Sequence, residues 1–138
     1  MPQVVGKRFL LFVAVILLLV GYRLSDNGLL AYCGDGVYAT FDRRDNMTVH
    51  RTPPLFCPRG GYERIDMPGE REDAAALLAA MKAAVVARET VGDIEILYAY
   101  TPRIHKSESL SIGRVNVMIA LSNGGRVIIG SPLIKGSF

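Results

Sequence analysis

The chain has 138 residues, with 16 Lys and Arg against 13 Asp and Glu, two cysteines and no tryptophan. Lys7 and Arg8 precede an apolar run, which leaves 14 basic and 13 acidic residues for the remainder, too even a balance for a nucleic-acid surface. No group of residues has the spacing of a catalytic triad, a phosphate loop or a structural zinc site, so the sequence points to a non-catalytic chain with no cofactor and no metal.

Phe9 to Tyr22 reads FLLFVAVILLLVGY, and 14 uncharged residues separate Arg8 from Arg23. As a helix this run spans roughly 21 Å, short of the roughly 30 Å hydrocarbon core of a bilayer. Its length suits the apolar region of a secretory signal, but no small-x-small pair follows it for cleavage. Leu30-Ala31-Tyr32-Cys33 has the outline of a lipoprotein box, yet bulky Tyr32 stands where a small residue is needed. The expectation is an uncleaved membrane anchor at residues 9–22, its ends relieved by snorkelling Lys and Arg, with secretion after signal cleavage as the alternative. The basic flank lies on the N-terminal side, which places the N-terminus in the cytoplasm and the rest outside. The chain is thus divided into a signal or anchor segment, 1–23, and an extracytoplasmic domain, 24–138.

Outside the cytoplasm Cys33 and Cys57 are expected to form a disulfide, closing a loop whose restraint is worth roughly 3 kcal/mol in the chain-entropy model. Adding His50 gives only three ligands at irregular spacing, so zinc is not expected. Leu29 to Phe41 has two apolar runs around Gly34-Asp35-Gly36, a hairpin signal. Asp42 to Asn46 reads as a second turn and Met47 to Thr52 as a short strand. Thr52 to Gly69 holds four of the seven prolines and is expected to be a loop.

Glu70 to Glu89 is expected to form one long helix. Glu70, Glu72 and Asp73 load its first turn with acid, alanines follow, and Ala74, Leu77, Leu78, Met81 and Val85 make an apolar stripe ended by Gly92. Ile94 to Thr101 alternates as a strand, and its Ile94/Ile96/Tyr98/Tyr100 face is expected beneath the helix. Arg103 to Gly113 reads as a solvated loop in which His105 and several serines lie near one another without an acid orienter. Arg114 to Ile134 is the strongest hairpin signal, two apolar runs around Ser122-Asn123-Gly124-Gly125. Gly130 marks a bulge or a close contact. Asn116 is the polar exception in its run, expected to be exposed or bonded to a neighbouring loop. Together these elements make an α+β fold, an N-terminal hydrophobic helix followed by an antiparallel sheet with one long helix on one face.

Asn116 to Leu121, NVMIAL, followed by Gly124 to Ile134, GGRVIIGSPLI, resembles the C-terminal signature of the YwmB-like family, and Ile96 to Thr101 is similar to the strand preceding it. The resemblance covers the C-terminal half. It implies a secreted or membrane-associated protein of Gram-positive bacteria, a helix-on-sheet fold like that of TATA-box-binding proteins, and no enzymatic activity. Three functions follow as expectations. The first is a non-catalytic envelope domain that binds a protein, a peptide or another copy of itself, with Tyr98, Tyr100 and Asn116 as candidate contacts. The second is a cystatin-like or PepSY-like module that modulates a peptidase. The third is a small hydrolase using Ser109 or Ser111 with His105.

Overall fold

The computed structural model describes residues 2–25, 29, 36–42, 44–50 and 61–136, with side chains of the first helix described over 6–20. The chain is α+β: an N-terminal helix α1 (Pro2–Ser25), then a seven-stranded antiparallel sheet with a second helix. Among the described residues no helix is long and apolar enough to cross a membrane. Yet α1 leaves Phe9, Leu10, Leu11, Phe12 and every large aliphatic from Val15 to Val20 exposed, on all sides of the helix.

The sheet strands are β1 (Val37–Phe41), β2 (Met47–His50), β3 (Tyr62–Pro68), β4 (Ala84–Val91), β5 (Ile94–Tyr100), β8 (Val117–Ser122) and β9 (Arg126–Ser131), ordered β2-β1-β3-β9-β8-β5-β4. Between β5 and β8 the chain makes a separate two-stranded ribbon, β6 (Glu108–Leu110) and β7 (Gly113–Val115). The expected C-terminal hairpin is present, with Ile119 opposite Ile129 and Leu121 opposite Val127. The turn at Asp42 also forms: its carboxylate accepts from the backbone N–H and the side-chain amide of Asn46 and from the Arg44 N–H, and this holds its pKa below the usual range.

The long helix is corrected. Helix α2 covers Arg71–Ala80 alone, and Ala84–Val91 is the edge strand β4. Its start is as read, since Asp73 Oδ2 accepts from the Glu70 N–H at 2.8 Å. It stops because Lys82 takes a left-handed φ of 51°, which reverses the chain. The carbonyls at its end that the helix leaves unpaired are met from outside: the Thr101 hydroxyl donates to Met81 O at 2.6 Å and Arg103 Nη1 to Ala80 O at 3.1 Å. Gly92, at φ 59°, turns β4 into β5 instead of ending a helix.

Two further expectations change. The part of the proline-rich loop from Tyr62 to Pro68 is strand β3, paired on both sides by β1 and β9. The face of β5 beneath α2 is Leu97 and Ala99, which join Ala74, Leu78, Met81, Val117, Ile119, Val127 and Ile129 in the main core. Ile96 and Tyr98 lie on the opposite face with Met118, Ala120 and Ile128. Alternation separates the two faces but does not say which one meets the helix, because both are apolar.

That second face is covered in part by the chain end, as Leu133 and Ile134 pack against it. Gly130 is the point of approach, since a Cβ there would stand 2.6 Å from the Ile134 backbone. Gly130→Ala is therefore expected to lift the terminal segment and destabilise the domain by about 1–3 kcal/mol in urea unfolding. Gly124→Ala, whose nearest neighbour would be 3.8 Å away, should stay within about 0.5 kcal/mol of the parent.

Candidate functional site

The most open stretch of the sheet is β4. Of its eight residues only Ala87 is even half-buried, and among the described residues it has a strand neighbour on one side only, β5. It carries no proline and no lysine, and what blunts it is confined to Arg88, Glu89 and one irregularity near its start. Its pairing slips between Val85 and Ala87, where Val86 forms the irregularity and reaches toward the ribbon beside Gly113.

The tip of the β6–β7 ribbon stands over this edge. Leu110, Ser111 and Ile112 face Ala87, Arg88, Glu89 and Tyr98 across an open groove of about 440 Å³. Tyr98 is half-buried and its hydroxyl donates to Glu89 Oε2 at 2.9 Å. Burial, and then the Glu89 carboxylate, push the Tyr98 pKa up, so the phenol keeps its proton and acts as a donor and not as a base. On the helix-facing side Glu95 binds Arg71 of α2 and lies 3.6 Å from Arg88, holding the edge to the helix. The groove thus offers an aromatic ring, aliphatic side chains and strand backbone, which suits binding better than proton transfer.

Tyr100, half-buried one pleat along from Tyr98, lies opposite Ala84 near the start of the edge. Asn116 is fully buried and its amide is committed to structure. It accepts from the Thr101 N–H at 2.8 Å and donates to the carbonyls of Thr101 at 2.6 Å and Ile104 at 2.9 Å. It thereby pins the loop that feeds the ribbon, a bond to a neighbouring loop as the sequence suggested. Ser109 is exposed opposite Arg114 in the ribbon, Ser111 is exposed at the groove, and His105 is exposed before the ribbon begins. Cys33 and Cys57 lie outside the described residues, as do residues 30–35 of the first expected hairpin; its second arm is β1, whose two sides are taken by β2 and β3, so that hairpin is corrected. No group of three or more potential metal ligands occurs among the described residues.

A second polar group went unread in the sequence. Glu63 of β3 is 2 % exposed and accepts from the Leu29 N–H at 3.1 Å and the Tyr38 hydroxyl at 3.2 Å, with Lys106 Nζ 3.9 Å away. Next to it, Thr40 Oγ1 and His50 Nε2 are 2.7 Å apart, and the Tyr38 and His50 rings lie 5.5 Å apart. A buried acid held this way acts as a fastener, because Leu29 and Lys106 come from segments that the sheet alone would not fix. On the other face Arg64 and Arg126 grip Asp66, and Arg64 Nη1 also donates to Lys135 O at 2.9 Å, tying down the chain end. Tyr62 donates to Glu108 at the foot of the ribbon, and that bond, then burial, push its pKa up to about 12.

Comparison with models of known families, with curated proteins and with solved structures returns no match for this chain.

Two predictions come from these contacts. Asn116→Ala leaves several buried backbone groups unpaired and is expected to destabilise the domain by about 3 kcal/mol in chemical unfolding, with faster exchange of the Thr101 amide. For Asp66, burial raises the pKa, but the bonds from Arg64 and Arg126 outweigh it and the carboxyl ends below its ordinary value. Its contribution is therefore present above the unfolded pKa of about 3.9 and is lost as pH falls through the lowered folded value. A stability-against-pH series of Asp66→Asn beside the parent should show the difference shrinking in that acidic window and holding constant near neutrality.

Proposed function

We propose that this is a non-catalytic, membrane-attached domain of the cell envelope that binds an extended segment of a partner protein along β4. The observation that carries the reading is the bare eight-residue edge beside the Tyr98–Ile112 groove. An extended peptide laid on such an edge completes the backbone ladder, and alternate side chains enter the flanking groove. Val85 and Val91 are exposed along the same strand and supply apolar contact.

Membrane attachment falls to α1. A helix that is apolar all round and leaves its side chains uncovered needs a lipid or protein environment. In this reading the apolar run of α1 enters the bilayer with Lys7 and Arg8 reaching back to the headgroups, and the sheet domain lies on the extracytoplasmic side. The placement agrees with the basic flank preceding the run. It also agrees with the expected kinship to the YwmB-like proteins, which stays part of the proposal.

The test is a selection of displayed extended peptides against the full chain held in detergent micelles. Peptides selected by the parent are expected to lose at least about tenfold in affinity, near 1.4 kcal/mol, toward the Val85→Lys/Val91→Lys variant. The thermal unfolding of that variant should match the parent. Equal affinity for both chains would remove β4 as the binding edge.

A further inference from the structure

The two ends of the sheet differ in their distance from α1. Helix α1 ends at Ser25, and Leu29 is already fully buried in the domain core, with its N–H bonded to Glu63. Four residues of chain reach at most about 14 Å even when fully extended. Glu63, which accepts from the Leu29 N–H, belongs to β3 and also accepts from the Tyr38 hydroxyl of β1, so the tether enters the domain at the β2–β1–β3 end of the sheet. The β4 edge is six strand spacings from β2, about 29 Å at roughly 4.8 Å each.

At this tethered end the sheet face turned away from Leu29 and Tyr38 carries three exposed apolar side chains. Val37 is 57 %, Met47 61 % and Val49 53 % exposed. Val49 lies opposite Ala39 and Met47 opposite Phe41, so the three side chains share one face of the β1–β2 pair, with Ala39 and Phe41 between them. The turn joining these strands mixes acid and base, Asp42 to Asn46, and Lys135 is engaged with Asp45 at 3.2 Å. Asp66, directly opposite Val37, is gripped by Arg64 and Arg126, so the charges bordering the patch are of both signs and paired. The nearest apolar surface that the chain itself specifies is the one into which α1 inserts.

We infer that the Val37–Met47–Val49 patch rests on the phospholipid surface, so that the sheet stands with its β2 end on the bilayer and its β4 edge turned away from it. This rests on the membrane attachment of α1 proposed above, and it assigns the apolar patch to lipid and the far edge to the partner. Such a patch adds a second, weaker membrane contact to that of α1 and sets the orientation of the domain.

Because the chain has no tryptophan, single indoles report position directly. The full chain is reconstituted into phosphatidylcholine/phosphatidylglycerol vesicles with bromines on the acyl chains, carrying Val49→Trp, Met47→Trp, Val91→Trp or Leu17→Trp in turn. An indole at position 49 or 47 is expected to lose about half or more of its emission, as one lying roughly 5–10 Å into the headgroup boundary should. The indole at 91 should keep its emission, and the one at 17 should lose most of it. Quenching at 17 with none at 47 and 49 would overturn the resting patch while leaving the attachment of α1 in place. No quenching at 17 would remove both. Equal quenching at 49 and 91 would overturn the orientation.

Discussion

Both faces of the β8–β9 hairpin are dry, and the remaining elements are arranged by what is needed to keep them so. Val117, Ile119, Val127 and Ile129 point toward α2, while Met118, Ala120 and Ile128 point the other way, and all are buried. An antiparallel pair can leave one face to water, but this one needs a cover on each side. Helix α2 and Leu29 supply the first cover, and the chain end at Leu133 and Ile134, with Ile96 and Tyr98, supplies the second. Strands β3 and β5 flank the hairpin as the inner neighbours. The outermost strands, β2 and β4, are where burial runs out and where side chains such as Val49 and Val91 emerge.

Polar groups inside this arrangement mark the places where irregular chain is attached to regular sheet. Asn116 holds the loop before the ribbon, Glu63 holds the tether at Leu29, and the Arg64–Asp66–Arg126 set holds the C-terminal segment. Each supplies hydrogen bonds that backbone pairing cannot, at a buried position where an unmet partner would be strongly unfavourable. Ser131, opposite Glu63 and fully buried, has a hydroxyl without a partner among the described residues.

The parts legible in the sequence are those in which local chemistry and tertiary packing agree. The Asn-Gly turn between two apolar runs specified β8 and β9, the Asp42 turn specified β1 and β2, and the acidic first turn located the start of α2. Strand β3 was hidden because its faces carry Glu63, Arg64 and Asp66, whose burial is made tolerable by partners distant in sequence, such as Leu29 and Lys135. Strand β4 was hidden for a different reason. Alanine continues past the true helix end, and the residue that takes the left-handed turn is Lys82, which carries no glycine signal. The β-branched pair Val85-Val86 was the available warning. Because the candidate site is built on β4, whose helix-like alanines hide the strand, the edge is not legible in the sequence even though Tyr98 is.

The domain so arranged has a tethered end and a free end, and the functional reading depends on the free end being unpaired in solution. Amide hydrogen exchange on the full chain in detergent micelles examines this most directly. With β4 as a bare edge, amides bonded to β5 should be protected while the alternating outward amides exchange within the fastest class, and those of β8 and β9 should be slowest of all. Uniform protection along Ala84–Val91, outward amides included, would mean that the edge is already covered and would contradict the account.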